Sequence, residues 1–172
     1  METVIVSIIC VVLIILGGMT LSQGFLTSAD TTSVALEEMG MRDKEITRTE
    51  LTPHEINVDG TGSILNIMLE NMGQTKLADF NNWDLIVQYY DGSGQYHAVW
   101  LPYQAGALSD NEWTVSGIYL ESNPESFEPN ILNPGERIGI QAQLNPAVGA
   151  NTTNMLVACT PNGIPVSIYF VR

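Results

Sequence analysis

Residues 3–26 read TVIVSIICVVLIILGGMTLSQGFL, and no charged side chain occurs from Thr3 to Ala29. As a helix this stretch rises ~36 Å at ~1.5 Å per residue, enough to cross a hydrocarbon core of ~30 Å. Its apolar residues occupy every side of the wheel, so the helix needs an apolar environment all round. Lipid would supply one, and so would a bundle of like helices. Three readings compete. A secretory signal peptide would use Thr27-Ser28-Ala29 as its cleavage site, but the positive n-region is missing and Glu2 is the one charge ahead of the run. A single-span anchor has a weak positive-inside cue, because Arg42, Lys44 and Arg48 are mixed with acids. The third reading is a helix that leaves the membrane and packs with copies of itself. Gly17, Gly18 and Gly24 would each cost ~1 kcal/mol relative to Ala in a water-exposed helix, yet permit close approach between packed helices. A flexible joint in an anchor would explain them equally well.

Beyond Phe25 the chain turns polar but stays compatible with a helix. Val34, Ala35, Leu36, Met39 and Met41 supply an intermittent apolar face; Glu37, Glu38, Asp43, Lys44 and Glu45 supply the other. The pattern predicts one long helix from Thr3 to about Lys44. Thr31, Thr32 and Ser33 interrupt it locally, and Asp30 could instead cap a second helix. We set the boundary there: residues 1–45 form the helical segment and residues 46–172 a second domain.

From Ile46 onward the period changes from helix to short strands, and every proline lies at Pro53 or later. Strands are expected over Glu55–Val58, Ser63–Glu70, Leu85–Tyr90, Gln95–Leu101, Trp113–Tyr119, Arg137–Leu144, Met155–Thr160 and Ile164–Val171. Asp59-Gly60-Thr61-Gly62, Asp91-Gly92-Ser93-Gly94, Asn133-Pro134-Gly135-Glu136 and Pro161-Asn162-Gly163 mark turns between them. Leu65, Ile67 and Leu69 share one face, as do Ile138, Ile140, Ala142 and Leu144. Seven or eight short strands with regular turns predict an immunoglobulin-like antiparallel β-sandwich, giving an α+β chain with its helix first. Trp83, Trp100, Trp113 and the tyrosines read as its core and rim.

The 172 residues carry 19 acids against 6 bases, a formal charge of −13. That argues against nucleic-acid binding, which needs clustered Lys and Arg. No nucleophile-elbow, phosphate-loop, dinucleotide or metalloprotease motif occurs, so no catalytic or cofactor-binding residue is assigned. His54 follows Pro53 in an expected turn, and His97 stands in a strand without a nameable base–orienter partner. Asp91-Gly92-Ser93-Gly94 superficially resembles part of a calcium loop but lacks the spaced ligands and terminal Glu, and a turn explains it; no metal site is assigned. Cys10 lies in the apolar helix and Cys159 in a late strand, so pairing within one chain is not expected. Asn151-Thr152-Thr153 is an N-glycosylation sequon in an expected exposed loop.

The order of parts resembles the archaellins, the type-IV-pilin-like filament subunits of the archaeal motility organelle. Three short segments carry a local likeness: Leu69-Glu70-Asn71-Met72-Gly73-Gln74-Thr75-Lys76-Leu77, Leu132-Asn133-Pro134-Gly135-Glu136 and Thr160-Pro161-Asn162-Gly163. Ile5 occupies a position where bacterial pilins carry Glu, which favours the archaeal type. Pilin-like precursors carry a charged leader ahead of the apolar segment; no such leader is seen here, and the mature first residue stays open. The resemblance implies a structural subunit of an extracellular helical motility filament, held in the membrane before assembly. It further implies a prepilin-type peptidase and motor-base proteins as partners, with no catalytic centre of its own and no cofactor. Ile5, Ile8, Ile9, Val12, Ile15, Leu16, Gly17, Gly18 and Met19 are the expected subunit-packing residues, and Asn151 the expected glycosylation site. The alternatives are a membrane-anchored β-sandwich that binds envelope ligands or acts as a stator, and an adhesive archaeal-type pilin.

Overall fold

The computed structural model describes residues 2–121, 123–124 and 127–172. It begins with one uninterrupted helix, α1 (Glu2–Thr47). At ~1.5 Å per residue such an element extends ~70 Å. The threonine run does not break it. Thr31 Oγ1 donates back to the Thr27 carbonyl at 3.0 Å and Thr32 Oγ1 to the Ser28 carbonyl at 2.8 Å, so these hydroxyls are satisfied by the helix itself. Asp30 therefore lies inside α1 and caps no second helix.

The chain divides into two compact units, Met1–Lys44 and Glu45–Arg172. The second unit holds nine strands among the described residues: β1 (Leu51–Val58), β2 (Ile64–Asn71), β3 (Asp84–Tyr90), β4 (Tyr96–Leu101), β5 (Glu112–Leu120), β6 (Asn123–Pro124), β7 (Glu136–Gln143), β8 (Thr153–Cys159) and β9 (Pro165–Val171). They form two antiparallel sheets, ordered β1-β2-β7-β5-β6 and β4-β3-β8-β9. This is the immunoglobulin-like arrangement, in which the chain crosses between the sheets after β2, β4 and β7.

Alternation along the strands explains why the sheets pack face to face. Leu65, Ile67 and Leu69 of β2 are buried against Leu85, Val87 and Tyr89 of β3 and Leu156 and Ala158 of β8 in one continuous core. Ile138, Ile140 and Ala142 of β7 join it, and Trp83 and Trp113 are both almost wholly enclosed. Trp100 departs from them: it is 56% exposed on β4.

One local expectation needs correction. Pro53 and His54 do not form a turn but lie inside β1, which starts four residues earlier than expected. Proline lacks a ladder donor, and β1 tolerates it because it is an edge strand whose register shifts between Pro53 and Glu55. The Pro161-Asn162-Gly163 turn is a three-residue loop, with the bounds expected from the sequence. Gly163 N–H donates to the Thr160 carbonyl at 2.8 Å, Thr160 N–H donates to the Ile164 carbonyl at 3.1 Å, and Gly163 takes a φ of 85°. Gly94 closes the Asp91 turn in the same way, with a φ of 83°.

Candidate assembly helix and the sandwich entry

The apolar side chains described on α1 stand exposed on their own unit. Ile5, Ile8, Ile9, Val12, Ile15, Leu16 and Met19 are between 48% and 59% exposed, and Val4, Val11, Leu13 and Ile14 are no better covered. Exposure of this kind on every side is incompatible with water and requires lipid or other helices. By length and composition the helix is able to cross a membrane. Its polar side chains do not oppose this. Ser7 Oγ donates to the Thr3 carbonyl at 2.9 Å and Thr20 Oγ1 to the Gly17 carbonyl at 2.9 Å, so these two hydroxyls are paired within the helix. At Gly17, Gly18 and Gly24 a Cβ would meet nothing within 4 Å, so the notches they leave in the helix surface are open.

The three segments singled out in the sequence meet where the chain enters the sandwich. Asn71, completely buried, links the first two of them. Its Nδ2 donates to the Thr75 carbonyl at 2.9 Å and the Leu132 carbonyl at 3.1 Å, and its Oδ1 accepts from Gly73 N–H at 3.1 Å. Gly135 N–H returns a bond to the Asn71 carbonyl at 2.7 Å, and Leu77 and Leu132 exchange backbone bonds at 3.0 and 2.7 Å. Within the turn, Glu136 turns back to accept from Asn133 N–H at 2.7 Å. Gly73 sits so tightly against Arg48 and Glu50 that a Cβ there would lie 2.5 Å from backbone atoms of both. Thr49 is buried beside it; its Oγ1 donates to the Glu45 carbonyl at 2.8 Å and accepts from Asn162 Nδ2 at 2.8 Å. One polar interlock thus fastens residues 45–50 to three otherwise distant turns. Sequence reading found the segments but not their meeting, because their contacts span long separations that no periodicity records.

The Asp91 hairpin is a second self-satisfied cluster. Asp91 Oδ1 accepts from Ser93 N–H at 2.8 Å, Ser93 Oγ at 2.6 Å and Gln95 N–H at 3.0 Å, while Oδ2 lies 3.0 Å from His97 Nε2. The Ser93 hydroxyl, then His97, then the Gln95 amide hold this carboxyl far below the ordinary range. The oxygens that a cation would need are engaged by the turn. Among the described residues no three His, Cys, Asp or Glu side chains gather to hold a metal. The partner for His97 that the sequence did not name is Asp91, and the ring also stacks on Tyr89 with centroids 5.2 Å apart. This buttresses the hairpin. Cys10 and Cys159 are free thiols, the first exposed on α1 and the second half-buried in β8. Asn151 is exposed in the turn before β8 with a φ of 59°.

No family model and no curated protein matches the chain. Solved structures do. The archaeal flagellum of Methanospirillum hungatei strain JF1 aligns over 96% of this chain and 90% of its own, with a TM-score of 0.62 and 10% identity. The archaellum periplasmic stator protein FlaG from Sulfolobus acidocaldarius covers 71% of this chain and 99% of its own, with a TM-score of 0.51 and 24% identity. The periplasmic stator complex of FlaF and FlaG from the same organism gives 0.52 and 25% over 71% of this chain and 89% of that one. The fold is therefore archaellin-like: one long apolar N-terminal helix followed by an antiparallel β-sandwich.

Proposed function

We propose that this chain is a structural component of an archaellum-type apparatus and, within it, a filament subunit that assembles through α1. The observation that carries the proposal is the full-length likeness to the archaeal flagellum, which takes in 96% of the chain, helix and sandwich alike. The uncovered apolar helix supports it. Burying one Ile or Leu contributes ~1.5–3 kcal/mol, so the packing of Ile5, Ile8, Ile9, Val12, Ile15, Leu16 and Met19 against neighbouring helices would dominate assembly. Gly17 and Gly18 would set the closeness of that packing. Residues 1–45 would form the filament core and residues 46–172 the outer sheath, with α1 holding the subunit in the membrane beforehand. A prepilin-type peptidase and motor-base proteins would be its partners, and Asn151 would carry glycan outside the cell. No step in this role needs a catalytic centre.

A second reading has its own support. Sequence identity is higher to the stator proteins, at 24–25%, than to the flagellum. A membrane-anchored, stator-like envelope protein would keep α1 in lipid and work through its sandwich. Electron microscopy of material isolated from producing cells separates the two: long helical filaments support the first, small detergent-soluble species the second.

A further inference from the structure

The two outer faces of the sandwich differ in kind. The β2-β7 side turns polar groups outward and ties them across strands: Gln141 Nε2 donates to Asn66 Oδ1 at 3.1 Å and Arg137 Nε to Glu70 Oε2 at 3.0 Å. The β4-β3-β8-β9 side is mostly apolar, with Gln88, Thr153 and Ser167 as neutral polar positions among its outward residues. Ile86, Tyr90, Tyr96, Trp100, Tyr169 and Val171 point outward from it, Trp100, Tyr169 and Val171 being 56%, 71% and 65% exposed. Register places Trp100 and Val157 on either side of Ile86, Tyr96 beside Tyr90 and Tyr169 beside Met155, so the patch reaches all four strands. The Tyr90 and Tyr96 rings lie 5.3 Å apart. Among the described residues Asp84 is the one charged side chain on these outward positions, and its Oδ1 already accepts from Trp100 Nε1 at 2.8 Å. The Tyr96 hydroxyl is likewise spent on Gln88 Oε1 at 2.9 Å. Polar groups bonded to one another leave little for a sugar to engage and suit a dry protein contact. A continuous exposed apolar patch marks an interaction surface.

We infer that this face packs against the sandwich of a second copy of the same chain. Charge selects that occupant. Two copies at −13 each repel over most of their surfaces, and can approach where carboxylates are nearly absent. A basic partner would be drawn to the acidic remainder instead. Size fits the same conclusion. Strands of about seven residues at ~3.4 Å and four strands at ~4.8 Å outline roughly 450 Å² per copy, about 900 Å² in all, below the ~1,200 Å² at which stable interfaces begin. The face therefore does not hold free copies together; it engages copies that their helices have already brought side by side. In that respect the inference rests on assembly through α1.

The test places the photoreactive residue benzoylphenylalanine in the full chain, in place of Tyr96 or Tyr169 on this face, or of Asn66 on the polar one. Assembled material, filament or membrane oligomer, is irradiated and copy-to-copy crosslinks are identified by mass spectrometry. The Tyr96 and Tyr169 probes should yield dimer at least about fivefold above the Asn66 probe, the effect of a contact worth more than ~1 kcal/mol. Adding Trp100→Glu, or Ile86→Glu should the first variant misfold by near-ultraviolet circular dichroism, should abolish that excess. Equal yields from all three probes, or crosslinks exclusively to a different protein, overturn the inference. Micrographs of the same samples judge the filament separately. Membrane oligomers that crosslink through Tyr96 would refute the filament and keep this face; filaments without the crosslink would do the reverse.

Discussion

Replacing Asn71 by Leu keeps the branched shape of the side chain and strips its amide. The structure fixes what is lost. Three side-chain hydrogen bonds disappear, to Thr75, Leu132 and Gly73. Two of those partners retain another bond: the Leu132 carbonyl still accepts from Leu77 N–H at 3.0 Å, and Gly73 N–H still donates to the Glu50 carbonyl at 3.1 Å. The Thr75 carbonyl is left with no replacement from this cluster. Counting ~0.5–1 kcal/mol for each weakened group and ~1–3 kcal/mol for the orphaned one gives a loss of about 2–5 kcal/mol. For a unit of this size that lowers the melting temperature by roughly 10 °C. The assay is thermal or urea unfolding of the full chain in detergent, followed by the fluorescence of the enclosed Trp83 and Trp113. Asn66→Leu, on the exposed polar face, is the control and should change stability by no more than ~0.5 kcal/mol. If Asn71→Leu behaved like that control, the polar interlock would not be what fastens the sandwich entry.

Other outcomes follow from the same geometry. Gly17→Leu with Gly18→Leu keeps α1 apolar and should preserve membrane insertion while weakening or re-registering filaments; unchanged filament symmetry in micrographs would show that these notches are not at a tight contact. Intact-mass analysis of native protein should find added glycan on the peptide holding Asn151, and an unmodified peptide would remove the sequon from the account. The folded carboxyl of Asp91 titrates far below its unfolded value, so its contribution is complete above the unfolded pKa of ~3.9 and is lost as pH falls from there toward the depressed folded value. Asp91→Asn should therefore be less stable than the wild type at neutral pH and converge with it in acid, and parallel stability curves down to pH ~2 would contradict that assignment.

Much of the architecture was legible because it is periodic. The switch from an all-apolar run to alternation at Ile46 separates α1 from the strands, and the buried sets Leu65-Ile67-Leu69 and Ile138-Ile140-Ala142 repeat every second residue. What escaped has physical causes. Pro53 reads as a breaker because proline cannot donate to a ladder, and only the tertiary fact that β1 is an edge strand admits it. β6 has two residues, too few to show a pattern. The Asp91–His97 pair joins a turn residue to the strand that follows it, and composition does not announce such a partner. Trp100 reads like Trp83 and Trp113, since a residue type does not reveal which side of its sheet it faces. For the packing residues, sequence supplied their apolarity and α1 their exposure; what covers them is a property of many copies rather than of one.

Cryo-electron microscopy of native assemblies bears most directly on that point. The account predicts helical filaments with α1 bundled along the axis, Ile5 to Met19 buried between neighbouring helices and the sandwiches outside. Particles of a few copies, with α1 still embedded in a detergent or lipid belt and no helical repeat, would contradict it and establish the anchored, stator-like reading instead.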